Sequence, residues 1–388
     1  MPSAATLEWA QRLVRLHTVS SGSNLPLIEA IADELRSLSV PLRLTYDDER
    51  RKANLFATLG EGKPAGLILS GHTDTVPWEG QAWRHDPLGA EIESGKLFGR
   101  GSADMKGYIG AVVANTRHWL EADLPFALHY AFSYDEEVGG FGARRLIADL
   151  REAGFAPRLC IVGEPTGMVP AIAHKGVYRW RCNVRGHAAH SSLTPQAVNA
   201  VEAAARVIAR IAGIGDELRE SEPRQAGFDV PYTTAAVCVV QGGIADNVVP
   251  EDCRFHYEFR NLPGVDVAPL QQLVLEGASA LEPAMKAVDA TSGFAFESIA
   301  EMPAFLARAD EPAVRLALQL AGASGTTNVA FGTEAGMFQR AGISTVVCGP
   351  GSIAQAHQAD EFVSLEQLAR CEAFLQGITR EGAAFLAC

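Results

Sequence analysis

The chain has no apolar stretch approaching the ~20 residues that a membrane span requires. Its opening, Met1-Pro-Ser-Ala-Ala-Thr-Leu-Glu8, lacks the basic and apolar regions of a secretory leader. Basic charge is short too: the formal net charge is -13 at pH 7. Nucleic acid and anionic membranes both bind through basic faces, so neither is an expected partner. No C-x-x-C pair occurs among the cysteines at 160, 182, 238, 253, 348, 371 and 388. That excludes the usual cysteine-built zinc site and, with the odd count, points to reduced thiols in a cytoplasmic protein. Low-complexity tracts and internal repeats are also missing. What is present, 388 residues of which 47% are hydrophobic and 20% charged, describes a soluble globular chain long enough for two domains.

Periodicity places helices at Leu7–Thr18 and Leu27–Ser37, with Ser23 and Asn24 as candidate caps. Short apolar runs then alternate with helical stretches. Strands are expected at Asn54–Leu59, Leu67–Ser70, Phe126–Tyr134 and Leu159–Val162, and helices at Gly107–Leu120 and Gly142–Ala153. Such alternation indicates an α/β fold with a mixed sheet. Near Lys175 the texture changes to β-α-β-β-α-β, with strands at Val177–Val184, Thr233–Gln241, Asp252–Arg260 and Thr291–Ile299. This order suggests a small two-layer, ferredoxin-like α+β unit. After about Pro303 the α/β texture returns, with a helix from Pro312, a strand at Ser344–Cys348 and a helix from Leu365. The expected organisation is a discontinuous catalytic domain, residues 1–176 and 303–388, interrupted by an inserted domain, 177–302.

Candidate metal ligands stand at the edges of these apolar runs. His72 closes Gly66-Leu-Ile-Leu-Ser-Gly-His72, and Asp104 lies in Gly99-Arg-Gly-Ser-Ala-Asp-Met-Lys-Gly107. Glu137 ends Ser133-Tyr-Asp-Glu-Glu137, Glu164 follows Cys160-Ile-Val-Gly, and His357 lies in Gln355-Ala-His-Gln-Ala-Asp-Glu361. Two imidazoles and three carboxylates suffice for two zinc-like ions if one carboxylate bridges them, and such a pair activates water and polarises an amide carbonyl. Asp74, two residues past His72, can hold the second imidazole nitrogen and fix its tautomer. Asp104 sits among glycines that permit unusual backbone geometry, although an aspartate there can also simply cap the helix beginning near Met105. Glu136 and Glu137 can divide their work, Glu137 on a metal and Glu136 as the proton-accepting base. Pro165 favours an extended Glu164, and Asp360 or Glu361 can support His357.

In order, His72-Thr-Asp74, the Asp104 segment, Glu136-Glu137, Gly-Glu164-Pro and His357 resemble the M20 family of di-metal amidohydrolases and peptidases. The resemblance covers essentially the whole chain. It implies His72 and Glu164 on one ion, Glu137 and His357 on the other, Asp104 bridging, Glu136 as base, and a cis peptide between Asp104 and Met105. Zinc is the implied metal, with cobalt possible in the same ligands. In Gly186-His-Ala-Ala-His-Ser-Ser192, His190 resembles the family's oxyanion-stabilising histidine, which dimeric relatives take from the partner subunit; a homodimer through the inserted lid domain is therefore expected. His187 does not align with it. Arg260 resembles an arginine that grips a substrate carboxylate, and Asn247 another lid residue near the substrate; either can instead tie strands together. Thr333-Glu334-Ala335 and Gly349-Pro-Gly-Ser-Ile-Ala-Gln-Ala-His357 are similar to the acetylornithine deacetylase branch. That branch implies hydrolysis of N2-acetyl-L-ornithine to L-ornithine and acetate in arginine biosynthesis, with Glu334 either pairing the substrate ammonium or serving structure near the metals. The alternatives are a desuccinylase, aminoacylase or dipeptidase on the same metal core, and an inert metal-binding or interaction module.

Overall fold

The computed structural model describes residues 1–64 and 66–386. The chain separates into two compact units. The first comprises Met1–His174, Phe305–Val329 and Thr333–Cys388, and the second Lys175–Ala304 with Ala330–Gly332.

A nine-stranded mixed sheet runs through the first unit. Its centre is parallel: Leu67–His72 lies between Leu128–Ser133 and Leu159–Pro165, and Ser344–Gly349 extends the parallel set beyond Leu159–Pro165. Antiparallel strands flank it, Ala53–Leu59 and Leu42–Tyr46 on one side and Ala171–His174 with Phe305–Leu306 on the other. The central strands are buried along their whole length, which is why they read as continuous apolar runs rather than as alternation. The helices Leu25–Ser37, Gly107–Ala114, Phe141–Glu152, Pro312–Ala321 and Leu365–Leu386 bury apolar faces in one core with these strands. Helix Ala4–Val14 crosses Gly107–Ala114 so closely that a Cβ on Gly110 would stand 2.6 Å from the Ala10 amide nitrogen. His72 ends its strand, Glu136 and Glu137 follow the end of the next, and Glu164 is the penultimate residue of the third. Ligands in open α/β sheets gather at these carboxyl ends.

Three local features depart from the sequence expectation. The stretch Gly107–Leu120 is two helices, Gly107–Ala114 and Thr116–Ala122. Between them the Asn115 side chain donates to the Ala111 carbonyl at 2.8 Å, the local bond by which asparagine competes with helical backbone. Asn24 makes no cap bond at its helix; its amide instead donates to the Ala53 carbonyl and to Thr73 Oγ1, both at 2.8 Å. A small sheet of Phe362–Ser364, Lys96–Phe98 and Ile92–Glu93 is too short to be signalled by periodicity. It joins the chain just after His357 to the chain just before Asp104.

The second unit has a four-stranded antiparallel sheet in the order Thr234–Gly242, Asp252–Arg260, Val177–Arg185, Gly293–Met302. The helices Ala200–Ser221, Ala268–Ser279 and Glu282–Val288 share its core. Alternate residues Cys182 and Val184, and Cys253, Phe255, Tyr257 and Phe259, supply the sheet's contribution. Chain order β-α-β-β-α-β with this spatial order is the ferredoxin-like arrangement.

Candidate metal centre

The first unit brings His72, Asp104, Glu136, Glu137, Glu164 and His357 to one place. Asp104 stands in the middle: its Oδ1 lies 2.8 Å from His72 Nε2 and its Oδ2 lies 3.4 Å from His357 Nε2. His357 Nε2 is also 3.2 Å from Glu137 Oε2, and His72 Nε2 is 3.9 Å from Glu164 Oε1. Ligand atoms of His72, Asp104 and Glu137 lie within 4.8 Å of one another, as do those of His72, Glu136 and Glu164. The peptide between Asp104 and Met105 is cis. A π-turn runs over Ser102–Lys106, with Asp104 and Met105 themselves in non-helical conformations. His357 is on a left-handed turn, φ 62°.

Asp74 is used differently from the sequence expectation. His72 Nδ1 is 2.9 Å from the Asp74 main-chain oxygen and 3.6 Å from its carboxylate Oδ1. The hydrogen bond that selects the tautomer therefore runs to the peptide carbonyl. The carboxylate instead accepts the main-chain N–H groups of Glu136 at 3.1 Å and Glu137 at 3.3 Å, and the Ser20 hydroxyl at 2.6 Å. Asp74 thus sets the loop that carries both glutamates. Ser20 lies far from Asp74 along the chain and has no motif of its own, so the sequence carries no signal for this bond.

Glu334 is also placed more deeply than an ammonium partner requires. It is 1% exposed, and its carboxylate accepts from Ser70 Oγ at 3.1 Å and from Ser133 Oγ. Both hydroxyls belong to central strands, so Glu334 ties the helix Ala335–Arg340 to the floor of the site.

The electrostatics are those of an acid cluster short of positive charge. Burial, reinforced by Glu164, Glu137 and Asp104 against the pull of His72, pushes the Glu136 carboxyl well above its usual range. Burial and the neighbouring acids raise Glu164 and Glu137 in the same way. Hydrogen bonds to Asp104 and Glu137, outweighing burial, hold His357 up at about 10. Burial opposes charge on His72, but its bonds to Asp104 and Asp74 win and keep its pKa well above normal. At neutral pH His357 therefore carries a proton that an arriving cation must displace. Three carboxylates and two imidazoles converging within ligand reach fit a pair of divalent ions. Among the described residues no cysteine belongs to a group placed to hold an ion, and Cys160, Cys348 and Cys371 are core thiols raised by burial.

The remaining sequence candidates lie in the second unit. His190 is exposed; its Nδ1 is 2.8 Å from Ser192 Oγ, and its backbone forms a bridge with Val248. The Asn247 carbonyl accepts the Ser191 N–H at 3.0 Å, so His190 and Asn247 occupy facing loops. Arg260 donates from Nε to Glu258 Oε1 at 2.9 Å, while Arg179 takes the other oxygen of the same carboxylate, also at 2.9 Å. His187 pairs with Asp289 at 2.7 Å.

The model of peptidase family M20/M25/M40 matches residues 68–381. The chain belongs to the M20 family. An acetylornithine deacetylase of Myxococcus xanthus is 36% identical over 380 residues, covering 94% of this chain and 93% of that protein. Another, from Proteus mirabilis (strain HI4320), is 34% identical over 347 residues, covering 88% and 86%. Among solved structures, the M20 metallo-carboxypeptidase Sso-CP2 of Sulfolobus solfataricus superposes with a TM-score of 0.78 at 16% identity, covering 98% of this chain and 99% of that one. The Bacillus subtilis protein YXEP, described as a dinuclear metal-binding M20 peptidase, superposes at 0.62 with 13% identity and 96% coverage of both chains. This protein is accordingly a metal-dependent amidohydrolase of the M20 family, with a mixed α/β fold.

Proposed function

We propose that this amidohydrolase hydrolyses N2-acetyl-L-ornithine to L-ornithine and acetate, the deacetylation that serves arginine biosynthesis in the cytoplasm. The observation that carries the chemistry is Asp104, with one carboxylate oxygen toward His72 and the other toward His357. His72 and Glu164 would hold one divalent ion, Glu137 and His357 the other, and Asp104 both; zinc suits this nitrogen and oxygen set, and cobalt fits the same ligands. Bound there, the ions would bring the pKa of water to roughly 7 and draw electron density from the acyl carbonyl.

The chain's own groups then have separate tasks. Glu136 accepts the proton of the attacking water and passes it to the leaving amine. Asp74 holds the Glu136 main chain so that this carboxylate is aimed before substrate arrives. His190, whose ring is exposed on its turn, donates to the developing oxyanion. Arg260 grips the substrate α-carboxylate, with Asn247 beside the substrate. The protein acts as a homodimer through its second unit. Support for the substrate comes from the acetylornithine deacetylases that resemble this chain over most of its length.

The test is release of free amine by the metal-loaded protein from N-acetylornithine, with succinyl-diaminopimelate, N-acetylmethionine and a dipeptide alongside. The expected result is a clear preference in kcat/KM for N-acetylornithine. Preference for another member of the panel would retain the hydrolytic chemistry and overturn the substrate.

A further inference from the structure

His72 and His357 are held in contrasting ways. His72 is the last residue of a buried central strand and is 1% exposed. The His357 side chain is 47% exposed and stands on an irregular turn with positive φ at both His357 and Asp360. No sheet ladder fixes it, so its position depends on what grips that turn.

The grip comes from residues 81–85, a segment with no proposed metal ligand. Gln81 Nε2 donates to the His357 main-chain carbonyl at 2.9 Å. The other end of the same amide, Oε1, accepts from Arg100 at 2.6 Å and from the Trp83 indole at 3.1 Å. Arg100 in turn donates to Glu361 at 2.7 Å. The Glu361 carboxylate also accepts the main-chain N–H groups of Gly101, Ala103 and Asp104 at 3.0, 3.0 and 3.1 Å. Asp360 closes the other side of the turn by accepting from the Arg84 and His85 main-chain N–H groups at 2.8 and 3.1 Å. The loop bearing Asp104 and the turn bearing His357 are thus joined through one exposed glutamine and one buried Arg–Glu pair.

We infer that Gln81 is a positioning residue that sets the His357 side of the metal centre, by fixing the His357 backbone against the Arg100–Glu361 clasp on the Asp104 loop. The inference rests on the two-ion reading above. Its consequence is selective: the ion shared by Glu137 and His357 depends on Gln81, whereas the ion shared by His72 and Glu164 does not, because those two ligands are fixed by strands and the Asp104 loop keeps its three main-chain bonds to Glu361 without Gln81. Loss of such an outer hydrogen-bond partner lowers metal affinity by about 10–100-fold. Gln81 is on the surface, so its replacement removes no core packing.

The experiment is a competition titration of zinc into the metal-free full-length protein against a chromophoric chelator, for wild type, Gln81→Ala, Gln81→Glu, His357→Ala and the double variant Gln81→Ala with His357→Ala. Gln81→Glu keeps an acceptor for Arg100 and Trp83 but loses the donor to the His357 carbonyl. The expected result is two ions in wild type, one of them unchanged in both Gln81 variants and the other weakened about 10–100-fold. The weakened ion should be the one lost in His357→Ala, and Gln81→Ala should have no further effect in that background. Both affinities unchanged, or both lowered alike, would overturn the inference while leaving the two-ion centre standing. Fewer than two ions in wild type would overturn both together.

Discussion

Glu136→Gln is expected to lower kcat by about 10²–10⁴, the contribution of a positioned general base, while the protein still folds and still binds its metals. Glutamine has the shape of glutamate, and the Glu136 main-chain N–H that Asp74 accepts is untouched by the change. What disappears is the lone carboxylate proton acceptor left over once Glu137 and Glu164 are assigned to ions. In the metal-free protein burial and three nearby acids raise the Glu136 carboxyl; cations bound by those acids would oppose that shift and favour the carboxylate needed to accept a proton. Steady-state kinetics, metal content and thermal melting measured on the same preparation separate the possible roles. A fall in metal content alongside the lost activity would make Glu136 a ligand, a role its convergence with His72 and Glu164 also permits.

Asp104→Ala is expected to cost more metal affinity than any other single change at the site. In the proposed two-ion reading every other ligand would hold one ion, but Asp104 points one oxygen at each histidine. Removing it leaves two ligands per ion, and the loss for each should exceed the roughly 10–100-fold typical of an outer-shell partner. It also strips His72 and His357 of the acid that does much to hold their protons. Metal analysis after equilibration against a competing chelator should find neither ion retained where wild type retains two. Asp104→Asn, which preserves size and one carbonyl oxygen, should fall between them. Equal metal content in all three proteins would remove Asp104 from the centre.

The sheet strands are legible because buried parallel strands have no polar face: Leu67–His72 and Leu159–Pro165 are largely apolar and buried throughout, the first ending on His72 and the second carrying Glu164 one residue before its end. The order of elements in the second unit could be read for the opposite reason, since Val177–Arg185 alternates between helix-facing and open positions. The edge strand Leu42–Tyr46 gives no such signal, being short and mixed in burial. At the site, residue type and position at strand ends marked His72, Asp104, Glu137, Glu164 and His357, and the structure brings them together. The supporting shell was far less visible. Asp74 holds the His72 imidazole as the sequence suggests, but through its main-chain oxygen, and its carboxylate has a second task the sequence does not signal, holding the Glu136–Glu137 backbone. Gln81 and Ser20 carry no spacing signal, because a hydrogen bond to a main-chain atom or to a distant carboxylate leaves no pattern in the chain. For Glu334 the sequence leaves open a substrate-pairing and a structural role, and its burial between Ser70 and Ser133 favours the structural one.

The central claim is a two-ion centre built on Asp104, and an anomalous-difference map from zinc-loaded crystals tests it most directly. The account predicts two peaks roughly 3.5–4 Å apart, one beside His72 and Glu164 and one beside Glu137 and His357, with the Asp104 carboxylate between them. A single peak, or two peaks that Asp104 does not touch, would contradict it.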